Sequence, residues 1–108
     1  MARESDEEKV RLLEADAQEG EPRAQRHLAN RYLRGRGLPT DPAQAAYWMR
    51  QAAEQGLAPA QRSYGEFLEQ GIGLDPDPDA ARGWYAAAAK QGDPVARRHL
   101  HRLEHSED

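Results

Sequence analysis

Residues 20–55 read GEPRAQRHLANRYLRGRGLPTDPAQAAYWMRQAAEQ, and residues 56–91 read GLAPAQRSYGEFLEQGIGLDPDPDAARGWYAAAAKQ. Aligned without a gap, the two stretches are identical at 14 of 36 positions. The same spacing continues beyond them, because Gly92 follows Gly56 by 36 residues and Ala96 follows Ala60 by 36. Self-similarity at a fixed period of this length indicates a repeat architecture, in which each unit is one supersecondary element that stacks on the next.

Two helices are predicted in each unit. Apolar and small residues at helical spacing mark the first helix, which ends at Gly35-Arg36-Gly37 because glycine readily adopts the left-handed conformation that closes a helix. The second begins at Asp41-Pro42, since aspartate caps a helix start and proline suits the first helical position. The same signals recur in the second unit. Helices are therefore predicted over 22–34, 42–55, 58–70 and 78–91.

Partial units flank the two full ones. Ser5 and Glu8 form a capping-box pattern at the start of an N-terminal helix, and Asp93-Pro94 opens a C-terminal one. We therefore predict a single domain over 1–108 with an all-α fold, an α-solenoid of about six helices in three antiparallel pairs. Its parts are an N-terminal capping helix at 5–19, repeat units at 20–55 and 56–91, and a C-terminal partial repeat at 92–105.

Large apolar side chains are scarce in this chain. Leu, Ile, Val and Phe account for 14 of 108 residues, whereas alanine alone accounts for 19. Such a supply is typical of a disordered chain or of a thin helical assembly, and the repeat favours the assembly. Leu28, Tyr32 and Trp48 are then expected to fill the gaps between helices that approach closely at small residues. The predicted small contact positions are Ala24, Ala29, Ala45, Ala52 and Ala53, with their copies Ala60, Gly65, Ala81, Ala88 and Ala89.

Composition and charge disfavour several classes of function. The chain has no cysteine, which excludes disulfides, thiolate metal sites and cysteine nucleophiles. A net charge of -4 and a pI near 5.6 argue against a nucleic-acid partner. No segment approaches the 18 apolar residues of a membrane span and no apolar signal region is visible, so we expect no membrane partner and a cytoplasmic location.

The repeat sequence resembles a known family. Residues 24–38, AQRHLANRYLRGRGL, are followed by DPAQAAYW at 41–48 and AAEQG at 52–56. This order of motifs is similar to the Sel-one-like repeat, a relative of the tetratricopeptide repeat, over essentially residues 5–105. One departure is that Tyr64 and Leu68 exchange the sizes that the family pattern has at these two positions. The resemblance implies an α-solenoid that binds other proteins, with no catalytic residues and no cofactor.

The resemblance also implies where a partner binds. In the tetratricopeptide fold, the first helix of each unit lines a concave groove. The corresponding positions here carry six arginines and two histidines, although the chain as a whole is acidic. Arginine binds carboxylates bidentately, so such a groove suits an acidic protein segment or a chain's C-terminal carboxylate. The candidate partner-binding residues are Arg23, Arg26, His27, Asn30, Arg34, Arg62, Ser63, Glu66, Gln70, Arg98, His99 and Arg102.

Two other interpretations of these residues stay open. In the first, the arginines are solvated surface residues paired with Glu54, Glu66 and Glu69, because surface ion pairs are common and weak. In the second, the protein is a dedicated inhibitor of one partner, such as an immunity protein for a secreted toxin.

One sequence near the C-terminus spells a catalytic motif. His101-Arg102-Leu103-Glu104-His105 matches the zinc motif HxxEH, and its two histidines share a helix face. A catalytic zinc also needs a third ligand and a surrounding pocket. Because only three residues follow, a solvated terminal helix is the favoured interpretation and no metal site is expected. A small metal-dependent hydrolase is the alternative from another class of function.

Overall fold

A computed structural model of the chain describes residues 5–105, which form six α-helices. Each predicted helix is confirmed, with ends within one residue of the expected bounds. No helix among these residues is long and apolar enough to cross a membrane. The helices are α1 (Asp6–Gln18), α2 (Pro22–Arg34), α3 (Pro42–Glu54), α4 (Ala58–Gln70), α5 (Pro78–Lys90) and α6 (Pro94–Glu104).

Local signals fix where the helices begin and end. The Asp41 side chain accepts a hydrogen bond from the backbone N–H of Gln44 at 3.2 Å, and Asp77 and Asp93 cap α5 and α6 in the same way. Gly35 closes α2 in the left-handed conformation at φ 69°. These caps satisfy backbone groups that would otherwise lack partners at the helix ends.

Each helix packs mainly against the helices before and after it in the chain. The resulting body is elongated, with extents of 57 × 25 × 23 Å. Contact restricted to chain neighbours is the signature of a solenoid, in which stability accumulates one interface at a time. We call α2, α4 and α6 the A helices and α1, α3 and α5 the B helices, after their order within a repeat unit.

The core is built from alanine. Of the 18 buried hydrophobic residues in the described part of the chain, 11 are alanines, and the largest fully buried side chains there are Tyr85, Leu28 and Met49. The predicted small contact positions are buried except Ala89, which is half-buried. Trp48 and Tyr32, expected to fill gaps between the helices, are half-buried and pack against both clusters of buried residues.

The loop inside each of the two repeat units has a second glycine, which allows the repeats to stack. A Cβ at Gly73 would overlap the backbone of Pro42 at the start of α3, and one at Gly37 would overlap the backbone of Asp6 at the start of α1. Both glycines also have positive φ, 75° and 89°. Each loop therefore lies directly on the first turn of the preceding B helix, where no side chain fits.

Buried glutamines connect consecutive helices. Gln25 is 4% exposed; its Nε2 donates to the Ala17 carbonyl at 3.1 Å and its Oε1 accepts from Gln55 Nε2 at 2.8 Å. Gln55 Nε2 also donates to the Gly20 carbonyl at 2.8 Å. One side chain on α2 thus links the end of α1 to the end of α3.

The second repeat copies this relay. Gln61 Nε2 donates to the Ala53 carbonyl at 3.3 Å, and its Oε1 accepts from Gln91 Nε2 at 3.0 Å. Gln91 Nε2 also donates to the Gly56 carbonyl at 2.8 Å. The identity of these glutamines in the two repeats therefore has a structural cause, since buried polar groups need partners.

We expect Gln61→Leu to lower the free energy of unfolding by about 1–3 kcal/mol, because it removes one hydrogen bond from Gln91 Nε2 and one from the Ala53 carbonyl. Urea unfolding followed by circular dichroism measures the effect. Gln70→Leu, at an exposed position of the same helix, is the control and should change stability by less than about 0.5 kcal/mol. Equal effects of the two substitutions would contradict the relay.

Two glycine substitutions should act in opposite directions. Gly73→Ala should destabilise by more than about 1 kcal/mol, because the methyl group meets the Pro42 backbone and the residue has positive φ. Gly83→Ala should stabilise by about 0.5–1 kcal/mol, since this glycine lies inside α5 with nothing within 4 Å of an added Cβ. Thermal melts of both variants test the pair, and a stabilising Gly73→Ala would refute the close contact.

Candidate functional site

The structure places the twelve predicted partner-binding residues on the three A helices. All twelve are exposed or half-buried, because the opposite side of each A helix packs into the core. They are Arg23, Arg26, His27, Asn30 and Arg34 on α2, Arg62, Ser63, Glu66 and Gln70 on α4, and Arg98, His99 and Arg102 on α6.

Four arginines come together on α2 and the loop after it. A cavity of about 270 Å³ is lined by Arg26, His27, Asn30, Arg31, Arg34 and Arg36. Two of the arginines approach Asp6, Arg31 Nη1 at 2.8 Å and Arg36 Nη2 at 3.9 Å from Oδ1. Arg26 and Arg34 form no ion pair within residues 5–105. We call Arg26, Arg31, Arg34 and Arg36 the arginine cluster.

A single carboxylate faces this cluster among the described residues. The hydrogen bond from Arg31 lowers the pKa of Asp6, and the nearby Arg36 and Lys9 charges add to that effect against the opposing effect of desolvation. Asp6 therefore stays ionised at neutral pH and compensates one of the four guanidinium charges. The remaining positive charge is available to an anionic ligand.

Arg26 also lacks a hydrogen-bond partner at a buried atom. Its Nε is shielded from solvent and makes no hydrogen bond. The Nε of the equivalent Arg62 also makes no hydrogen bond, but a carboxylate lies nearby, since this Nε is 3.5 Å from Oδ1 of Asp93, the N-cap of α6. The residue 36 positions before Asp93 is Leu57, the N-cap of α4, which offers no carboxylate to Arg26.

Between α4 and α6 the charges neutralise one another. Arg102 donates two hydrogen bonds to Glu69, at 2.8 and 2.9 Å, and His99 Nε2 lies 3.0 Å from Glu66 Oε2. The Arg102 hydrogen bond lowers the pKa of Glu69, burial opposes it, and a hydrogen bond from Tyr85 adds to the lowering. Glu54, the third carboxylate considered as a partner for the arginines of the A helices, pairs instead with Arg50 on its own helix α3, where Arg50 Nε lies 2.8 Å from Glu54 Oε2.

Tyr85 lies beneath this pairing. Its hydroxyl donates to Glu69 Oε1 at 2.7 Å, and its ring stacks on His99 with centroids 4.7 Å apart. Burial, followed by the Glu69 carboxylate, raises the pKa of Tyr85 above its ordinary value. Paired charges over a buried aromatic ring form a closed network here, so among the described residues the grouped arginines without a carboxylate partner are Arg26 and Arg34 on α2, and Arg98 on α6 is exposed apart from them.

Sequence reasoning missed two members of the arginine cluster. Arg31 aligns with Phe67 and Leu103, which are buried or half-buried, and so it falls outside the groove pattern. Arg36 lies in the loop between two glycines rather than on a helix. A signal was present, since arginines at 31, 34 and 36 follow one another closely at a helix end.

The HxxEH residues lie at the end of α6. The rings of His101 and His105 stack with centroids 4.1 Å apart, and His105 Nδ1 is 2.9 Å from the His101 carbonyl oxygen. Glu104 is exposed. Within residues 5–105, no group of three histidine or acidic side chains is arranged to hold a metal ion.

The family model described as "Sel1 repeat" matches residues 22–57 and 58–93. The crystal structure of a Sel1 repeat protein from Oxalobacter formigenes has a TM-score of 0.86 and 38% identity, and covers 90% of this chain and 73% of that one. The crystal structure of c5321, a protective antigen of uropathogenic Escherichia coli strains with an SLR fold, has a TM-score of 0.87 and 35% identity.

The match to c5321 covers 89% of this chain and 21% of the antigen. A comparison with curated protein sequences gave no match. The family model alone accounts for two complete 36-residue repeats, and both structural relatives share their helical arrangement. This chain therefore belongs to the Sel1 repeat family.

Proposed function

We propose that this protein is a non-catalytic interaction module that binds an acidic segment of a partner protein at the arginine cluster on α2. Sel1 repeats are in general protein–protein interaction modules. The observation that carries the more specific proposal is the unequal pairing of charge along the A helices. Arg26 and Arg34 have no carboxylate partner among the described residues, whereas Arg102 is held by Glu69.

The chemistry of arginine favours a carboxylate ligand at this place. The planar guanidinium presents paired N–H donors that match a carboxylate, and it is weakly hydrated, so it loses little on desolvation. Charged partners of this kind are drawn together by long-range attraction, which raises the association rate.

The α4 and α6 ends of the A helices have a different role in this proposal. Glu66 and Glu69 place negative charge there, and His99 and Arg102 are engaged with them. An acidic ligand therefore gains less from the paired groups between α4 and α6 than from the arginine cluster on α2. This makes the interaction site shorter than the full row of twelve residues, with Arg98 as an outlying exposed charge.

We expect a fluorescein-labelled octaglutamate peptide to bind the protein, with affinity that falls steeply between about 20 mM and about 300 mM salt. The double variant Arg34→Glu/Arg36→Glu should weaken binding at least about tenfold, which is about 1.4 kcal/mol. Fluorescence anisotropy measures both effects. Arg50→Glu/Arg82→Glu, which makes the same change of charge on the B helices, is the matched control.

Two results would overturn the proposal. One is the absence of saturable binding at the lowest salt, and the other is equal weakening by the two double variants, which would indicate a general charge effect. Comparing free and amidated C-termini on the peptide then determines whether the terminal carboxylate or the side chains supply the ligand.

A further inference from the structure

A groove lies between the B helices α1 and α3 and shares no residue with the cavity of the arginine cluster. Its volume is about 490 Å³. At one end the two helices are joined by the relay hydrogen bond from Gln55 Nε2 to the Gly20 carbonyl, at 2.8 Å. We call it the aromatic groove, and it is lined by Ala17, Gln18, Gly20, Gln25, Tyr47, Trp48, Gln51, Glu54 and Gln55.

The groove lies on the outer surface of the stack. Its counterpart one repeat further on is the groove between α3 and α5, where Gly83, Lys90 and Gln91 are exposed. The neighbouring A helices, α2, α4 and α6, are all among the described residues, and none of them covers this counterpart. The stacking of the helices therefore leaves this position of the repeat open to a molecule outside the stack.

Comparing the two grooves separates the framework of the repeat from the residues that are specific to the first groove. Five of the nine lining residues are identical 36 positions later, and two of these, Gln25 and Gln55, form the glutamine relay. The other four differ, and the stacking of the helices does not account for them, so they are the candidates for ligand contact. They are Gln18, Tyr47, Gln51 and Glu54, where the second groove has Glu54, Gly83, Ala87 and Lys90.

Tyr47 gives the groove an exposed aromatic surface. Its side chain is 52% exposed, and its ring meets Trp48 edge-on with centroids 5.0 Å apart. Trp48 is itself half-buried and packs against both clusters of buried residues, so it is fixed by the core. An aromatic pair held in this way presents a large apolar surface to a ligand together with a polar O–H and N–H.

The groove also contains hydrogen-bond donors that are unused within residues 5–105. The side chains of Gln18, Trp48 and Gln51 form no hydrogen bond there, although the two amides and the indole carry N–H donors. A docked helix would leave these donors unmatched, because its own backbone carbonyls are paired internally. A polyproline II segment has no internal hydrogen bonds, so its carbonyls are free to accept, and its proline rings pack on aromatic side chains.

The length of the groove suits a short extended segment. Tyr47, Gln51 and Glu54 follow one another at helical spacing along α3, so together they cover about 10 Å. A polyproline II chain rises about 3.1 Å per residue, so this length corresponds to about three residues. A segment that meets Tyr47 with a proline therefore brings the residue three positions away to Glu54.

Negative charge collects at the Glu54 end. Glu19 and Glu21 are exposed on the turn that lines this end, and neither forms an ion pair with another described residue. Arg50 pairs with Glu54 alone. Arg23 is two positions before the glutamine of α2 that lines the groove and so faces about 200° away from it. Charge complementarity at this end therefore favours a basic residue in the ligand.

A second copy of this chain does not supply such a segment. Its prolines come close together in two places, which read PTDP at 39–42 and DPDPD at 75–79. Both stretches contain aspartate and neither contains a basic residue, so they would bring negative charge against the carboxylates of the groove. The occupant that fits is a segment of another protein.

We infer that the aromatic groove binds a proline-rich segment of a partner protein in the polyproline II conformation. The proline rings of that segment pack on Tyr47 and Trp48. Its backbone carbonyls accept hydrogen bonds from the amides of Gln18 and Gln51, and a basic residue follows at the Glu54 end. This site is separate from the arginine cluster and selects the opposite charge, so it goes beyond the proposed function and does not rest on it.

A short synthetic peptide tests the inference directly. Acetylated and amidated PPPPPR, titrated to about 2 mM into ¹⁵N-labelled protein, should shift the indole N–H resonance of Trp48 and the amide resonances of Gly20 and Gln51 in a saturable manner. The amides of Gly83 and Ala87, in the second groove, are the internal control and should not shift. GSGSGR, which keeps the cation without proline, and PPPPPE, which reverses the charge, should each bind at least about fivefold more weakly.

Exposed positions on the protein provide matched variants. Tyr47→Ala should weaken binding of PPPPPR at least about tenfold, because it removes the exposed aromatic surface. Leu12→Ala is the control and should change binding less than about twofold, since Leu12 is 56% exposed on α1 and lies outside the groove. Both side chains are exposed, so the fold should be retained in each variant, and Tyr47→Ala should bind octaglutamate as the parent does.

Three results would show the inference to be wrong. They are the absence of saturable shifts with PPPPPR, equal binding of PPPPPR by Tyr47→Ala and the parent, and equal shifts in the two grooves. Saturable shifts in the aromatic groove with cellotriose but none with PPPPPR would assign the groove to a carbohydrate and also overturn the inference. Octaglutamate binding tests the proposed function separately, because the two sites share no lining residue.

Discussion

The close approach of the helices is the constraint on which the rest of this structure depends. At Gly65 the α5 backbone and the Tyr85 ring leave no space for a Cβ, and the fully buried Ala45, Ala52 and Ala88 occupy other interhelix contacts. Close approach lets small side chains exclude water without large residues between the helices. It also brings helix ends within reach of one another, which allows a single glutamine side chain to link three consecutive helices. A chain poor in large apolar residues acquires a defined stack in this way.

This construction has consequences for the surface. Because the core is only one helix pair thick, the outer sides of the A helices lie next to one another, and side chains 33 residues apart in sequence meet between α4 and α6. Whether an arginine on an A helix is free depends on what the neighbouring A helix presents to it. Arg102 meets Glu69 and is neutralised, whereas Arg26 and Arg34 meet no carboxylate among the described residues.

Much of the fold was predictable from short-range signals. The 36-residue period, the Asp-Pro starts and the glycine stops predicted all six helices, and the alanine pattern predicted most of the buried positions. Trp48, predicted to fill a gap between the helices, is half-buried and packs against both clusters of buried residues. The position of the candidate residues on the A helices was also predictable, because equivalent residues of successive repeats lie on the same side of their helices.

By itself, then, the sequence determined the repeat, the helix boundaries and the face on which basic residues accumulate. The helix boundaries follow from the conformational preferences of neighbouring residues, and the repeat and the basic face follow from the 36-residue period. Only the tertiary structure decided which of those basic residues are neutralised and that Arg31 and Arg36 join Arg26 and Arg34 in one cluster. The physical reason is that ion pairing and helix docking depend on distances between residues from different repeats. Those distances are set by how closely the helices pack, which no local pattern specifies.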